Sequence, residues 1–311
     1  MNFIKCTLLF IFILFSCITF SQEDSISLSK DEKDFILDWE NIFEDKSLSF
    51  DTIKSSSFPT VVFSLNPSTL KRKDLKTKLS EPLGFELKLG SIQKKSFSES
   101  VNIIEEDFYY FILSNLTSHL QKKDNISHNI HSDSWKFGFG NQTGFGYKLN
   151  ETIYFIPFTD GSINWTRINF SIDSNIVPLN DLSILNLYDE SFRFGTSKAG
   201  GLRIKFSYDT KFFNSIVLET GFERHIVFQR LLFWKWISSS LIELGLHSLL
   251  DKFIDKVFDS SPYAAPILSF VFKNALNYGI YELKTEKMNY PFNTQAPISF
   301  NQFRFSIQII F

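Results

Sequence analysis

The residues best placed to do chemistry form one ridge on a predicted helix late in the chain. Glu243, His247, Asp251 and Asp255 follow one another at intervals of four residues, so they share one helical face. A carboxylate and an imidazole one turn apart could bind a divalent metal, or His247 could act as a base oriented by Asp251. Ser239 lies on the same ridge, but side chains along one straight helix point in parallel and do not converge as a triad. We therefore favour a solvated polar face and expect no metal site; His247, Asp251 and Glu243 are the catalytic candidates.

Other signs of chemistry are weaker. His225 follows Glu223 and Arg224 at the end of a predicted strand, where we expect a lumen or rim residue rather than a catalytic one. The sequence has neither a glycine-rich phosphate loop nor a zinc-binding helix motif. Its formal net charge of −2 argues against a nucleic-acid partner. We therefore expect no cofactor and no nucleic-acid partner, and we disfavour an enzyme.

Two predicted helices within residues 226–287 carry this ridge, separated at Ser260, Ser261 and Pro262. The first has a broad apolar face that includes Leu244 and Leu249. The second is almost entirely apolar. Either it is buried between the rest of the protein and the first helix, or it forms a surface that contacts another protein or the bilayer interface.

The last nine residues predict a closing β-strand after these helices. Their side chains alternate, so one face is apolar while Arg304, Ser306 and Gln308 lie on the other. A C-terminal strand of this pattern that ends in Phe resembles the assembly signal of Gram-negative outer-membrane β-barrel proteins. The resemblance implies an outer-membrane location, with lipid and the barrel-assembly machinery as partners. The proposed membrane-assembly residues are Phe303, Phe305, Ile307, Ile309 and Phe311.

Short alternating segments elsewhere predict the other strands. We place Asp160 and Gly161 in a tight turn, a β-bulge near Arg167 and a helix over residues 99–120. The strands are expected near residues 84–91, 134–140, 144–150, 151–158, 162–172, 191–197, 200–208, 211–224 and 301–311. We expect a mainly β fold: a small antiparallel membrane β-barrel with a helical hairpin inserted before the last strand. Although nine segments are counted, even strand numbers are usual for such barrels, so we expect about eight strands.

On such a barrel the polar faces of the strands would point into the lumen. Both signs of charge occur on these faces, which suggests an ion-paired, closed core rather than an open pore. A soluble antiparallel sheet with its polar face in water would produce the same alternation. The predicted lumen charge network comprises Arg193, Arg203, Lys205, Glu219, Glu223 and Arg304.

The N-terminal part of the chain predicts export. Residues 1–21 have the pattern of a signal peptide, cleaved before Gln22. A lipoprotein acylated at Cys17 is the alternative. Residues 22–82 are expected to form a polar periplasmic segment with one amphipathic helix, and residues 83–311 the barrel, including the helical insert 226–287.

Three functions fit this organisation. The favoured one is a structural or accessory role in the outer membrane, in which residues 228–286 dock to an envelope protein partner within a larger complex. The alternative is an outer-membrane enzyme that acts on lipid or glycan through His247 with Asp251 or Glu243. The third is a passive channel, which the charged and crowded lumen disfavours.

Overall fold

The computed structural model describes residues 56–96, 102–118, 130–172, 177–208 and 212–311. The expected signal peptide, the lipoprotein cysteine Cys17 and the amphipathic helix of the N-terminal segment all lie outside the described residues.

Eight antiparallel strands close into a barrel in which each strand pairs with its neighbours in sequence and β1 pairs with β8. This arrangement confirms the predicted fold class. The strands are β1 (Ser56–Lys71), β2 (Leu83–Ser96), β3 (Ile103–Thr117), β4 (His131–Lys148), β5 (Ile153–Ser171), β6 (Phe192–Ser207), β7 (Ser215–Val227) and β8 (Ile298–Ile310).

The first strand, β1, was not predicted. It lies inside residues 22–82, which we assigned to the periplasmic segment, so the barrel starts at Ser56 rather than at residue 83. Pro59 and Pro67 obscure it, because proline is usually excluded from strands that are paired on both sides. β1 supplies the partner of the closing strand: Phe63 pairs with Ile307, and Leu65 pairs with Phe305.

The helix predicted over residues 99–120 is wrong, because β3 occupies that stretch. Phe108 and Ile112 point into the barrel, whereas Phe111 and Leu113 are exposed on its outer wall. Apolar residues on both faces of a strand also recur at spacings of three and four, which is why the pattern favoured a helix.

In three places, two consecutive predicted strands form one long strand in the structure. The segments near 134–140 and 144–150 form β4, those near 151–158 and 162–172 form β5, and those near 191–197 and 200–208 form β6. Asp160 and Gly161 lie within β5 rather than in a turn, paired with Gln142 and Asn141. The expected bulge is also wrong, since Arg167 pairs regularly with Trp135 and Phe192.

A helical hairpin stands between β7 and β8, as predicted. It consists of α2 (Phe233–Ser260) and α3 (Ala265–Glu286), while a short helix, α1 (Leu179–Asn186), lies between β5 and β6. Among the described residues, no helix is both long enough and apolar enough to cross a membrane.

The two ends of the barrel differ in their connections. At one end, which we call the termini end, β1 begins, β8 ends, and the connections 97–102, 149–152 and 208–214 are short. At the other, the loop end, lie the longer connections 72–82, 118–130, 172–191 and 228–297. An apolar cluster at the loop end includes Leu70, Leu116, Leu185, Tyr188 and Phe300, so the described residues 177–191 cap the lumen there.

Candidate functional site

The interior of the barrel holds a network of charged side chains in which the two signs balance. They lie on the inward face of successive strands, where every second residue points into the lumen. The buried members are Glu86, Lys88, Glu106, Lys136, Asp160, Arg203, Lys205, Glu219, Glu223 and Arg304.

Arg304 on β8 is the centre of this network. Its Nη2 lies 2.9 Å from Asp160 Oδ2 and 2.9 Å from Glu219 Oε1, and its Nη1 lies 3.1 Å from Glu223 Oε2. The planar guanidinium can donate in several directions at once, which suits a site with three carboxylates. One arginine therefore joins β5, β7 and β8 across the lumen.

Two lysines complete the network of charges around Arg304. Lys88 Nζ on β2 lies 2.8 Å from Asp160 Oδ2, and Lys136 Nζ on β4 lies 2.8 Å from Glu223 Oε1 and 3.2 Å from Glu86 Oε2. Each lysine thus reaches a carboxylate on a strand that is not its neighbour. These contacts fill the lumen with bonds between opposing walls.

A second charged cluster lies closer to the termini end. Lys205 on β6 donates to Glu106 on β3, and Arg203 Nη1 lies 3.8 Å from the same carboxylate. The Arg203 guanidinium lies over the Phe158 ring at 5.5 Å. A Cβ at Gly144 would lie 1.9 Å from Arg203 Nη2, so the glycine provides the space that this side chain occupies.

The predicted inward residues are placed as follows. Arg203, Lys205, Glu219, Glu223 and Arg304 are buried in the lumen, whereas Arg193 is only partly buried near the start of β6. The residues that the sequence reasoning missed are Glu86, Lys88, Glu106, Lys136 and Asp160. Glu106 and Asp160 were hidden by the wrongly predicted helix and turn, whereas Glu86 lies in a segment predicted to be a strand. For Lys88 and Lys136, the alternation with apolar neighbours was the usable signal.

His225 is another lumen residue, on β7. It is fully buried, its Nε2 lies 3.0 Å from Thr166 Oγ1, and its Nδ1 lies 3.0 Å from Ser197 Oγ. Both ring nitrogens are therefore occupied by hydroxyl groups of the barrel wall, which fits the expected lumen position.

The outer wall of the barrel is apolar. In β8, the exposed fraction is 59% for Phe303, 54% for Phe305 and 52% for Ile307, while Ile309 is partly buried. Phe311, directly after β8, is 46% exposed. The proposed assembly residues thus line the outer face of the closing strand. Neighbouring strands continue this apolar band with Phe63, Leu65, Phe85, Leu89, Phe111, Leu113, Phe139, Leu202, Ile204 and Leu218, all of which are exposed.

The ridge of α2 is solvated only at its last member, Asp255, which is exposed, so the expectation of a solvated face was wrong for Glu243, His247 and Asp251. Glu243 is buried and lies 2.9 Å from Lys198 Nζ on β6 and 2.6 Å from Lys284 Nζ on α3. His247 Nε2 lies 3.0 Å from Asn277 Oδ1.

Asp251 and Ser239 on the same ridge also contact protein. Asp251 lies 2.7 Å from Lys273 Nζ, and Ser239 donates to the carbonyl of Tyr290. Within the described part of the chain, no group of three or more metal-binding side chains occurs. The ridge therefore joins the hairpin to itself and to the barrel.

The cap at the loop end contains a polar contact outside the strands. Arg72 Nη1 donates to Tyr188 Oη at 2.8 Å, and Arg72 Nε donates to Asp74 Oδ1 at 2.6 Å. Burial raises the pKa of Tyr188 to about 12. For Asp74, burial alone would raise the pKa, but the hydrogen bond and charge of Arg72 outweigh it and hold the pKa below its usual value.

Comparisons with known proteins identify no family. No protein-family model matches the chain, and no curated protein matches its sequence. Among solved structures, Neisserial surface protein A (NspA) matches with 7% identity and a TM-score of 0.33, covering 83% of this chain and 100% of its own.

Ail, the attachment invasion locus protein of Yersinia pestis, matches with 10% identity and a TM-score of 0.29, covering 82% of this chain and 99% of its own. Both are eight-stranded outer-membrane β-barrels. The closed antiparallel barrel of eight strands in this chain is established by its own strand pairing.

Proposed function

We propose that this protein is an integral outer-membrane β-barrel with a sealed lumen and a structural or accessory role. The observation that carries the proposal is the reversal of polarity across the barrel wall. Phe305 and Ile307 are exposed on the outside, while Arg304, the residue between Phe303 and Phe305 in β8, is buried among carboxylates inside. A soluble barrel would place its charges outside and its apolar residues inside. Lipid is the solvent that fits the observed arrangement.

The connections support an orientation within the membrane. Bacterial outer-membrane barrels have short periplasmic turns and longer extracellular loops. By this rule the termini end lies in the periplasm and the loop end faces outward. The closing strand is the segment that we propose the barrel-assembly machinery engages.

The lumen argues for a sealed barrel rather than a channel. A small barrel has an interior just wide enough for its own side chains. Here the pairs Arg304–Asp160, Lys136–Glu223 and Lys205–Glu106 join strands that are not neighbours. An ion would have to break these contacts to pass.

The accessory part of the proposal concerns the envelope protein partner expected at residues 228–286. The turn of the hairpin lies at the termini end, because the Tyr263 carbonyl accepts a hydrogen bond from Tyr147 near the end of β4. Lys252, Lys256 and Asp259 are exposed at this end of α2. We propose that this charged turn docks the partner in the periplasm.

The membrane placement can be tested by flotation of the protein with outer membranes and by its electrophoretic mobility before and after heating. We expect flotation, a heat-dependent shift and no conductance in planar bilayers. Soluble protein without a heat-dependent shift would refute the membrane barrel, and steady conductance would refute the sealed lumen.

Docking requires a separate experiment in mild detergent. We expect the wild type to purify in a complex larger than the monomer, and the charge-reversed pair Lys252→Glu and Lys256→Glu to purify alone with its heat-dependent shift retained. The matched control is Lys235→Glu, which reverses an exposed charge near the other end of α2 and should leave the complex intact. A wild type that is already a lone monomer would contradict docking.

A further inference from the structure

We propose that the outer face of the α2–α3 hairpin contacts lipid acyl chains, so that the hairpin lies at bilayer depth against the barrel wall. This inference rests on the proposed membrane placement of the barrel. It assigns an occupant to a surface that the proposed function leaves open. In the proposed function, the partner protein binds only at the turn of the hairpin.

The first argument is that the charged groups in the middle of the hairpin contact protein. Glu243 is bound between Lys198 of the barrel wall and Lys284 of α3. Asp251 pairs with Lys273. Charged residues at bilayer depth are tolerated when they face protein and pair with one another. Neither helix is apolar enough to cross a bilayer alone. Packed together against the barrel wall, the two helices pair these charged side chains with one another and with Lys198.

The second argument is that the opposite face is apolar. Leu249 is 68% exposed, although a helix in water would turn such a residue toward its core. The outward side chains are those of Leu244, Leu246 and Leu249 on α2 and Ile267, Val271 and Phe272 on α3, all of them exposed. The apolar face predicted for the first helix is therefore turned away from the protein.

The third argument is the fit of α3 to the wall. A Cβ added to Gly200 of β6 would lie 1.8 Å from Asn274 Oδ1. The wall thus lacks a side chain at the point where the middle of α3 approaches it. The helix replaces lipid on this part of the barrel and extends the apolar band around it.

The fourth argument is length. The carbonyl of Tyr263 just before α3 contacts Tyr147 near the termini end, and Tyr281 in its last turns donates to Asn301 near the start of β8. With 22 residues, α3 is about 33 Å long at 1.5 Å per residue. The outward apolar band of a membrane barrel is about 25 Å tall, so α3 is long enough to extend over the full height of the band.

The fifth argument is the position of the exposed charges. Lys235 lies near the start of α2, and Glu282 and Glu286 lie in the last turns of α3. The C-terminal third of α2 carries the exposed residues Lys252, Asp255, Lys256 and Asp259. Charges near both ends with an apolar middle are expected for a surface that crosses the hydrocarbon layer. A surface that binds a soluble protein would not require its exposed charges to lie near both ends.

Site-specific labels can test the inference in the full chain. The cysteines of the sequence are Cys6 and Cys17, in the segment expected to be removed on export, and the unsubstituted protein measures any background labelling. Single variants Leu249→Cys and Phe272→Cys probe the hairpin, Phe305→Cys probes the barrel wall and Asp259→Cys probes the turn. Each is labelled with a fluorophore and reconstituted in phosphatidylcholine vesicles whose acyl chains carry nitroxide quenchers.

We expect the labels at Leu249 and Phe272 to be quenched as strongly as the label at Phe305, and several-fold more than the label at Asp259. Quenching at Phe305 without quenching at Leu249 and Phe272 would overturn the inference and leave the membrane barrel standing. If Phe305 also escapes quenching, the membrane placement itself fails and the inference falls with it.

Protein occupants of the same face give a different result. A disulfide-linked dimer of the Leu249→Cys variant in vesicles would identify a second copy of this chain as the occupant. A single discrete adduct after photo-crosslinking from position 249 in native outer membranes would identify an envelope protein. Either result would overturn the assignment to lipid.

Discussion

Arg304 and Asp160 meet inside the barrel at 2.9 Å, although they lie on β8 and β5. The Asp160 carboxylate also accepts hydrogen bonds from Lys88 and Tyr110. Because the buried charges of the lumen balance, removal of either side chain would leave a net charge in the lumen. The contact therefore links the closing strand to the rest of the barrel.

Replacement of Arg304 by leucine should destabilise the barrel strongly. Asp160, Glu219 and Glu223 would lose their shared cation, and removal of one partner from a buried ion pair costs about 3–5 kcal/mol. The measurement is urea unfolding of the reconstituted protein, followed by tryptophan fluorescence and by the heat-dependent shift.

The matched control for Arg304 is lysine, which keeps the charge but cannot reach three carboxylates in the same fork geometry. We expect Arg304→Lys to lie between the leucine variant and the wild type. Equal stability of all three proteins would show that the network does not hold the closing strand.

Phe305 offers a test of the outer wall. An arginine at this exposed position of the band should destabilise the folded barrel by about 2–4 kcal/mol if the site lies near the bilayer midplane. The same unfolding measurement in vesicles gives the value. Thr69→Arg is the control, since Thr69 lies near the loop end of β1, where the cost falls to about 0–1 kcal/mol. Equal costs at both sites would contradict a lipid-facing band.

The barrel class could be predicted from the sequence because lumen and lipid impose opposite demands on alternate residues. In β8 and in the second half of β6 the alternation is regular, and those strands were placed within a few residues. The strand boundaries were less accessible. Asp160 and Gly161 have the composition of a turn, yet they continue β5 because Lys88 and Arg304 hold Asp160 in the lumen.

The polarity of the hairpin could not be deduced from the helix alone. The spacing of Glu243, His247 and Asp251 predicts a shared face, but the same spacing fits water, metal or protein. The outcome depends on Lys198, Lys273 and Asn277, which lie elsewhere in the chain and meet the ridge only in the folded protein.

The approach of α3 to the barrel at Gly200 leads to a prediction about the hairpin alone. Valine at position 200 would collide with Asn274, because even a Cβ would lie 1.8 Å from Asn274 Oδ1. We expect Gly200→Val to loosen the hairpin while the barrel still closes. Limited proteolysis within 228–297, compared with the heat-dependent shift, would separate the two effects.

A second substitution provides the control for Gly200→Val. Asn274→Ala removes the side chain that the valine meets, so the double variant should recover much of the protease resistance lost in the single variant. Proteolysis that is unchanged by Gly200→Val would mean that α3 does not pack on β6 at this point.

Tyr188 in the loop-end cap predicts a dependence of stability on alkaline pH. Its pKa is raised to about 12 in the folded protein, against about 10 for an exposed tyrosine. The stabilisation linked to this group is therefore complete below pH 10 and is lost as the pH rises from about 10 toward 12. Tyr188→Phe should lack this component, so its melting temperature should fall less than that of the wild type between pH 9 and 11.5.

Leu185→Ala, which damages the same apolar cluster without removing a titrating group, should lower the melting temperature by a similar amount at both pH values. An equal alkaline decrease in the wild type and Tyr188→Phe would show that the buried hydroxyl does not couple the cap to pH.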